Sequence, residues 1–163
     1  MLNVVPKTLS TEKSIVIQKN LPALKKYVGD FNHFGDWSPW SDLDPAYRVS
    51  VEGLPLTVGH KFNWSSDSAD VGSGHQTITA ISENQIDLTV IFTAPWESEA
   101  NVYYKLEKVD GGTKVSWGFE QEANLMMGFF GIEEMVGESY DKGLAKLKTL
   151  AESKLFLNAP VLK

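Results

Sequence analysis

Two alternating stretches meet at a glycine turn in the segment NVYYKLEKVDGGTKVSWGFE, Asn101–Glu120. Apolar and polar side chains alternate on each side of Asp110–Gly112, which is typical of strands with one buried and one wet face. The Asp-Gly-Gly turn is a hairpin signal, so the two stretches are predicted to pair antiparallel. Their apolar positions are Val102, Tyr104, Leu106, Val115, Trp117 and Phe119.

The same period of two recurs between residues 46 and 92, where short turn-forming segments separate the alternating stretches. Such short links join antiparallel neighbours, because a parallel crossover needs about a dozen residues or more. Upstream, the pattern predicts a strand at Glu12–Lys19, followed by short helices at Leu21–Val28 and Phe31–Asp36. Asn20 is the expected N-cap of the first helix, and Gly29 ends it.

Downstream the period changes to that of an amphipathic helix, predicted over Ile132–Lys154. At about 1.5 Å per residue this helix is about 33 Å long, which matches a strand of about 10 residues. Its apolar stripe consists of Ile132, Val136, Tyr140, Leu144, Leu147 and Ala151.

These elements predict an α+β fold in which one long helix covers a curved antiparallel sheet. Seven strands at about 4.8 Å spacing make a sheet about 30 Å wide, whereas a helix is only about 10 Å across. The sheet must therefore curl around the helix, and the remaining space is hard to fill. We predict an internal cavity there, with plugging by large side chains as the alternative.

Length, charge and composition exclude several classes of protein. The chain has 163 residues, which indicates one domain, and its net charge of −6 argues against binding to nucleic acid. The absence of cysteine excludes thiolate, iron–sulfur and cysteine–zinc chemistry, and no histidine spacing suggests another metal site, so no cofactor is expected.

Residence in the cytoplasm is the default expectation from the N-terminal residues. The first ten residues lack the apolar core of a secretory signal, and no stretch of the sequence is apolar enough to span a membrane. An anchor upstream of Met1 is left open.

Three motifs carry a family resemblance. FGDWSPW at Phe34–Trp40 with the following Asp44-Pro45, GTKVSW at Gly112–Trp117 and GLAKLK at Gly143–Lys148 resemble the polyketide cyclase/dehydrase-like branch of the SRPBCC superfamily, over about residues 12–153. This resemblance implies the helix-grip, or START-like, fold: a seven-stranded sheet wrapped round a C-terminal helix, enclosing a pocket for hydrophobic ligands. It implies one domain over residues 1–155 and a tail at 156–163. No catalytic motif of a characterised cyclase is matched, so no catalytic residue is assigned.

Aromatic side chains are the main candidates for ligand binding. Trp37 and Trp40 flank a proline and are predicted at the rim of the pocket, or else as core packing. A second group falls on the predicted inner faces of the strands, where it either lines or fills the cavity: Trp64, Phe92, Tyr104, Trp117 and Phe119. Tyr104 and Trp117 also carry polar groups that are able to orient a ligand.

Other candidates come from one strand, one loop and the last helix. His75 is expected to face inward as a hydrogen-bonding group or an acid/base. The apolar segment Leu125–Gly131 is predicted to form a lid, a membrane or partner contact, or a loop packed on the core. The candidate ligand contacts in and after this segment are Met126, Met127, Phe130, Met135 and Tyr140.

Three functions follow from these observations. The favoured one is non-catalytic binding or transport of a small hydrophobic molecule, such as a lipid, isoprenoid or aromatic polyketide. The first alternative is a cyclase or dehydratase that uses His75, Tyr104 or Tyr140. The second is a co-chaperone-like interaction module that uses the Met/Phe loop. Fold alone does not choose among them, and ligand identity and oligomeric state are left open.

Overall fold

Seven antiparallel strands and a long C-terminal helix make up the part of the chain that the structure, a computed structural model, describes: residues 7–123 and 131–153. Two short helices follow the first strand. The elements in chain order are β1 Lys7–Ile17, α1 Leu21–Val28, α2 Phe34–Trp37, β2 Arg48–Glu52, β3 Lys61–Ser65, β4 Ser73–Ile81, β5 Gln85–Ala94, β6 Ser98–Val109, β7 Gly112–Ala123 and α3 Ile132–Ala151.

The order of the strands in the sheet is β1-β7-β6-β5-β4-β3-β2. Strands β2 to β7 pair with their neighbours in sequence, as the short links require. Strand β1 joins the edge formed by β7 along its full length, from Lys7 opposite Ala123 to Ile17 opposite Thr113. The predicted helix-grip α+β fold is confirmed.

The boundaries of three elements differ from the prediction. Strand β1 begins at Lys7 rather than Glu12, because its polar N-terminal half still pairs through its backbone with β7. Helix α2 is a single turn, Phe34–Trp37, preceded by a turn where a helix from Phe31 was expected. Helix α3 ends at Ala151 instead of Lys154.

Helix α1 has the predicted bounds, and its cap is the predicted one. The side-chain oxygen of Asn20 accepts a hydrogen bond of 2.9 Å from the backbone N–H of Ala23. Proline at the second position of the helix lacks an N–H that the first turn would leave unpaired in any case.

Helix α3 lies against the sheet through the predicted stripe, in which Tyr140, Leu144, Leu147 and Ala151 are buried. Gly143 allows the close approach, because a Cβ atom there would lie 2.8 Å from Cζ3 of Trp117. The helix therefore packs against β1 and β7, at one edge of the sheet.

His60 forms a structural link that the sequence analysis did not identify. Its ring is fully buried, and its Nε2 accepts a hydrogen bond of 3.0 Å from the backbone N–H of Phe31. The other ring nitrogen, Nδ1, therefore carries the proton and donates to the carbonyl of Glu52 at 3.0 Å. The neutral imidazole thus ties the link between α1 and α2 to the end of β2.

Two predicted segments lie outside the described residues. They are residues 125–130 of the predicted lid, including Met126, Met127 and Phe130, and the C-terminal tail, residues 156–163. Within residues 7–123 and 131–153, no helix is long and apolar enough to cross a membrane.

Candidate functional site

A cavity of about 120 Å³ lies between the inner face of the sheet and helix α3. Its walls come from β3 to β7, from α3 and from the segment between Phe34 and Tyr47. A cavity of about 150 Å³ in another protein suffices to bind benzene, so this one is the size of a single ring. The predicted internal space is present in the structure, and it is small.

The cavity exists because short side chains occupy the middle of the sheet. Gln76 of β4 lies opposite Val90 of β5, and Val90 lies opposite Ala100 of β6. Val102, the next inward residue of β6, is also short and also lines the cavity. Larger rings stand on both sides of this row: Phe62, Trp64 and Phe92 on β3 and β5, and Trp117 and Phe119 on β7.

Trp117 is the centre of the aromatic cluster beside the cavity. Its ring stacks on that of Tyr140, with centroids 3.8 Å apart and planes inclined by 6°. The Trp37 and Tyr104 rings contact it from other sides, at centroid distances of 5.1 and 5.8 Å. This packing leaves only 2% of Trp117 exposed, so its position is fixed by the core.

Six of the predicted ligand contacts line the cavity together. They are Trp40, Trp64, Phe92, Trp117, Phe119 and Tyr140. Contact with a ligand stays a prediction for each of them.

Three other predicted contacts, Trp37, Tyr104 and Met135, do not line the cavity. The Trp37 and Tyr104 side chains are fully buried within the ring cluster, so placing Trp37 at a rim is wrong and core packing describes it. Met135 lies off the buried stripe of α3 and is 61% exposed.

His75 lies on the other face of the sheet from the one expected. In β4 the buried positions are Gly74, Gln76 and Ile78, while His75 and Thr77 alternate with them and are half-buried. The inward face of β4 is the face that carries the apolar side chain of Ile78. The inward polar group is consequently the amide of Gln76, and the prediction of an inward His75 is wrong.

Polar groups in the lining are few, and the sequence analysis missed most of them. Gln76 and Ser38 are buried, and Tyr47 and Gln121 are half-buried. The Ser38 hydroxyl accepts a hydrogen bond of 3.2 Å from the backbone N–H of Trp40, which orients the Trp-Ser-Pro-Trp loop over the cavity. A buried polar residue inside a polar strand gives no periodic signal, which is why Gln76 was not found.

Two donors in the lining have no partner among the described residues: Gln76 Nε2 and Trp117 Nε1. An unpaired buried polar group costs about 1–3 kcal/mol of stability. Such groups are expected where a ligand or water completes the hydrogen bonding.

The lining carries no charged side chain within the described parts of the chain. Burial raises the pKa of Tyr140, and the nearby Tyr103 hydroxyl adds to the shift. Burial likewise raises the pKa of Tyr104 well above its ordinary value, with a smaller contribution from Tyr140. Both phenols therefore stay protonated at neutral pH and do not serve as bases.

Replacing Tyr104 with phenylalanine tests this burial through the pH dependence of stability. Because the Tyr104 pKa is raised in the fold, its ionisation in the unfolded chain destabilises the protein as the pH rises above about 10. The variant should lose about 1 kcal/mol less stability between pH 10 and 11 than the wild type. At pH 7 it should gain about 1 kcal/mol, since the Tyr104 hydroxyl has no partner among the described residues.

Urea unfolding at pH 7, 10 and 11 measures both effects of this substitution. At pH 7 the control is Tyr47→Phe, because this side chain is half-buried rather than fully buried and its loss should change the neutral-pH stability little. The comparison is made at pH 7 alone, since burial and Asp36 also raise the pKa of Tyr47. Identical pH dependence of stability in the wild type and Tyr104→Phe would contradict a raised pKa of Tyr104 in the folded protein.

The sequence of the chain matches the model of a known protein family. A family model described as polyketide cyclase / dehydrase and lipid transport matches residues 8–152. No curated protein matches the chain in sequence.

Several solved structures share the fold at low sequence identity. Protein CV1439 from Chromobacterium violaceum has a TM-score of 0.66 and 14% identity, over 89% of this chain and 98% of that one. The Aha1 dimer from Colwellia psychrerythraea has a TM-score of 0.64 and 15% identity, over 88% of this chain and 96% of that one. The di-domain ARO/CYC StfQ from the steffimycin biosynthetic pathway has a TM-score of 0.62 and 12% identity, over 89% of this chain but 51% of that one.

At these identities the structural neighbours show the fold alone. The family model, in contrast, covers most of the sequence: all of β1 except Lys7, strands β2 to β7, and all of α3. The chain belongs to the polyketide cyclase/dehydrase and lipid transport family of the SRPBCC superfamily.

Proposed function

We propose that this protein binds a small, uncharged, apolar molecule in the cavity between sheet and helix, without catalysing a reaction on it. The observation that carries this proposal is the cavity itself: ring-sized, walled by aromatic and short aliphatic side chains, and free of charged lining groups among the described residues. Sites of this kind bind ligands mainly through burial of apolar surface, and a few polar groups fix the orientation.

The uncharged lining restricts the class of ligand. A carboxylate placed beside Val90 and Ala100 would lose its hydration with no cation to replace it. A fatty acid is therefore disfavoured inside the described cavity, while a neutral ring or short neutral chain is favoured. The family description, which covers both cyclases and lipid transport, supports small-molecule binding in general.

The enzymatic alternative has less support from the lining. General acid–base catalysis needs a group that changes its protonation near neutral pH. Tyr140 is the titratable lining residue with a buried hydroxyl, and burial raises its pKa further from neutrality. His75, the other candidate for this chemistry, lies on the opposite face of β4.

Titration calorimetry with three ring-sized probes tests the proposal. Toluene should bind at one site with a Kd of about 1 mM or tighter. This Kd corresponds to a binding free energy of about −4 kcal/mol. Nitrobenzene has the shape of benzoate without its net charge and should also bind. Benzoate should bind at least about tenfold more weakly than nitrobenzene, because its charge would be buried unpaired.

Two results would overturn the proposal. One is the absence of saturable binding of toluene and nitrobenzene up to their solubility. The other is benzoate binding as tightly as nitrobenzene, which would require a cation at the site and contradict an uncharged lining.

A further inference from the structure

Gln76 is the buried polar residue whose presence in the cavity the fold does not explain. It is 6% exposed, lies near the middle of β4 and contributes to the lining. Its Nε2 atom has no hydrogen-bond partner within residues 7–123 and 131–153. An amide in this position is expected to destabilise the ligand-free protein, because no group among the described residues replaces the hydration that its Nε2 atom loses on burial.

The neighbours of Gln76 determine what is able to reach this amide. Phe62 of β3 lies opposite it on one side and Val90 of β5 on the other. Ala100 follows Val90 in the same row across the sheet. A ring resting on the short side chains of Val90 and Ala100 would lie directly beside the amide of Gln76.

Trp117 Nε1 is a second unpartnered donor in the same lining. Its indole is held between Tyr140 and Trp37 and has no freedom to turn toward a ligand. The amide of Gln76 ends a side chain with three rotatable bonds and adjusts to a bound molecule more easily. In both groups the atom without a partner is an N–H donor, so each calls for an acceptor on the ligand.

We propose that Gln76 determines specificity in this cavity, by donating a hydrogen bond from its amide to a carbonyl oxygen of a neutral, ring-sized ligand. The ligand class is then aromatic or cyclic ketones and related neutral carbonyl compounds, in preference to hydrocarbons of the same shape. The inference rests on the proposed function and narrows it to compounds with an acceptor oxygen.

A pair of isosteric probes tests the inference. Acetophenone and α-methylstyrene have the same shape, with a carbonyl in one and a C=CH₂ group in the other. In the wild type acetophenone should bind about three- to tenfold more tightly. In Gln76→Met, which keeps the size of the side chain, this ratio should shift toward α-methylstyrene by at least about tenfold, because the carbonyl is then buried without a donor.

Stability of the ligand-free protein gives an independent readout. Gln76→Met removes an unpaired buried amide, so its Tm should exceed that of the wild type by about 2–4 °C. Gln18→Met is the matched control: Gln18 is exposed after β1, and the substitution should change neither the Tm nor the ratio of the two affinities.

The outcomes separate this inference from the proposed function. If both probes bind and Gln76→Met leaves their affinity ratio unchanged, apolar binding stands and the role of Gln76 is overturned. A lower Tm of the ligand-free Gln76→Met variant also overturns it, since the amide would then be satisfied in the empty protein. If neither probe binds the wild type, the proposed function fails and this inference fails with it.

Discussion

Trp117→Ala should lower the free energy of unfolding by about 4 kcal/mol, the largest effect that we expect from a single substitution in this protein. The indole is 2% exposed and contacts the rings of Trp37, Tyr104 and Tyr140. The last of these contacts is with helix α3, so the substitution also removes part of the packing between helix and sheet. Urea or thermal unfolding at neutral pH measures the loss.

Trp96→Ala is the matched control for this substitution. Trp96 lies in the turn between β5 and β6 and is 74% exposed, so its removal should change stability by less than about 0.5 kcal/mol. A loss below about 1.5 kcal/mol for Trp117→Ala would mean that Trp117 is a loosely packed wall rather than part of the core.

Ala100→Phe should abolish binding of ring-sized ligands, with at least about a hundredfold loss of affinity for toluene. The Ala100 side chain is buried and lines the cavity beside Val90, so a phenyl group attached there would occupy the ligand's space. Filling a cavity offsets the strain of the larger residue, and stability should change by less than about 2 kcal/mol. Calorimetry with toluene and urea unfolding give the two measurements.

The control for Ala100→Phe places the same ring on the other face of β6. Asn101 is the next residue along the strand and is exposed, so Asn101→Phe should leave affinity for toluene unchanged. Undiminished binding to a folded Ala100→Phe protein would show that toluene binds elsewhere on the molecule.

The fold followed from periodicity wherever apolar and polar residues differ clearly. In β6 and β7, alternation around the Asp110–Gly112 turn predicted both the pairing and the inward side chains Trp117 and Phe119. Strand β1 extended further than predicted because backbone pairing with β7 does not require an apolar pattern. Strands β1 and β7 are the first and last strands along the chain, and no short-range signal reports their pairing.

The site was harder to predict, because it depends on phase and on side-chain volume. His75 and Gln76 are adjacent polar residues, so polarity alone did not show which one faces inward. The single turn of α2 and the loop after it have no period that shows which side chains face the core. Trp37, at the end of α2, is completely buried, whereas Trp40, in the loop, lines the cavity.

The size of the cavity depends on the register of the central strands. That register aligns Val90 with Ala100 across β5 and β6, which leaves a floor of short side chains. The widths of sheet and helix predicted a mismatch, and therefore a cavity. They carry no information on where this row of short side chains lies, so the dimensions of the cavity could not be predicted.

Nuclear Overhauser contacts between bound toluene and the methyl groups of the protein test the central claim most directly. The claim is that an uncharged ring occupies the cavity above β5 and β6. We predict contacts from the toluene protons to the methyl groups of Val90, Val102 and Val136, which all line the cavity. Contacts confined to exposed methyl groups such as those of Leu54 and Val58, or none at all at saturating toluene, would contradict it.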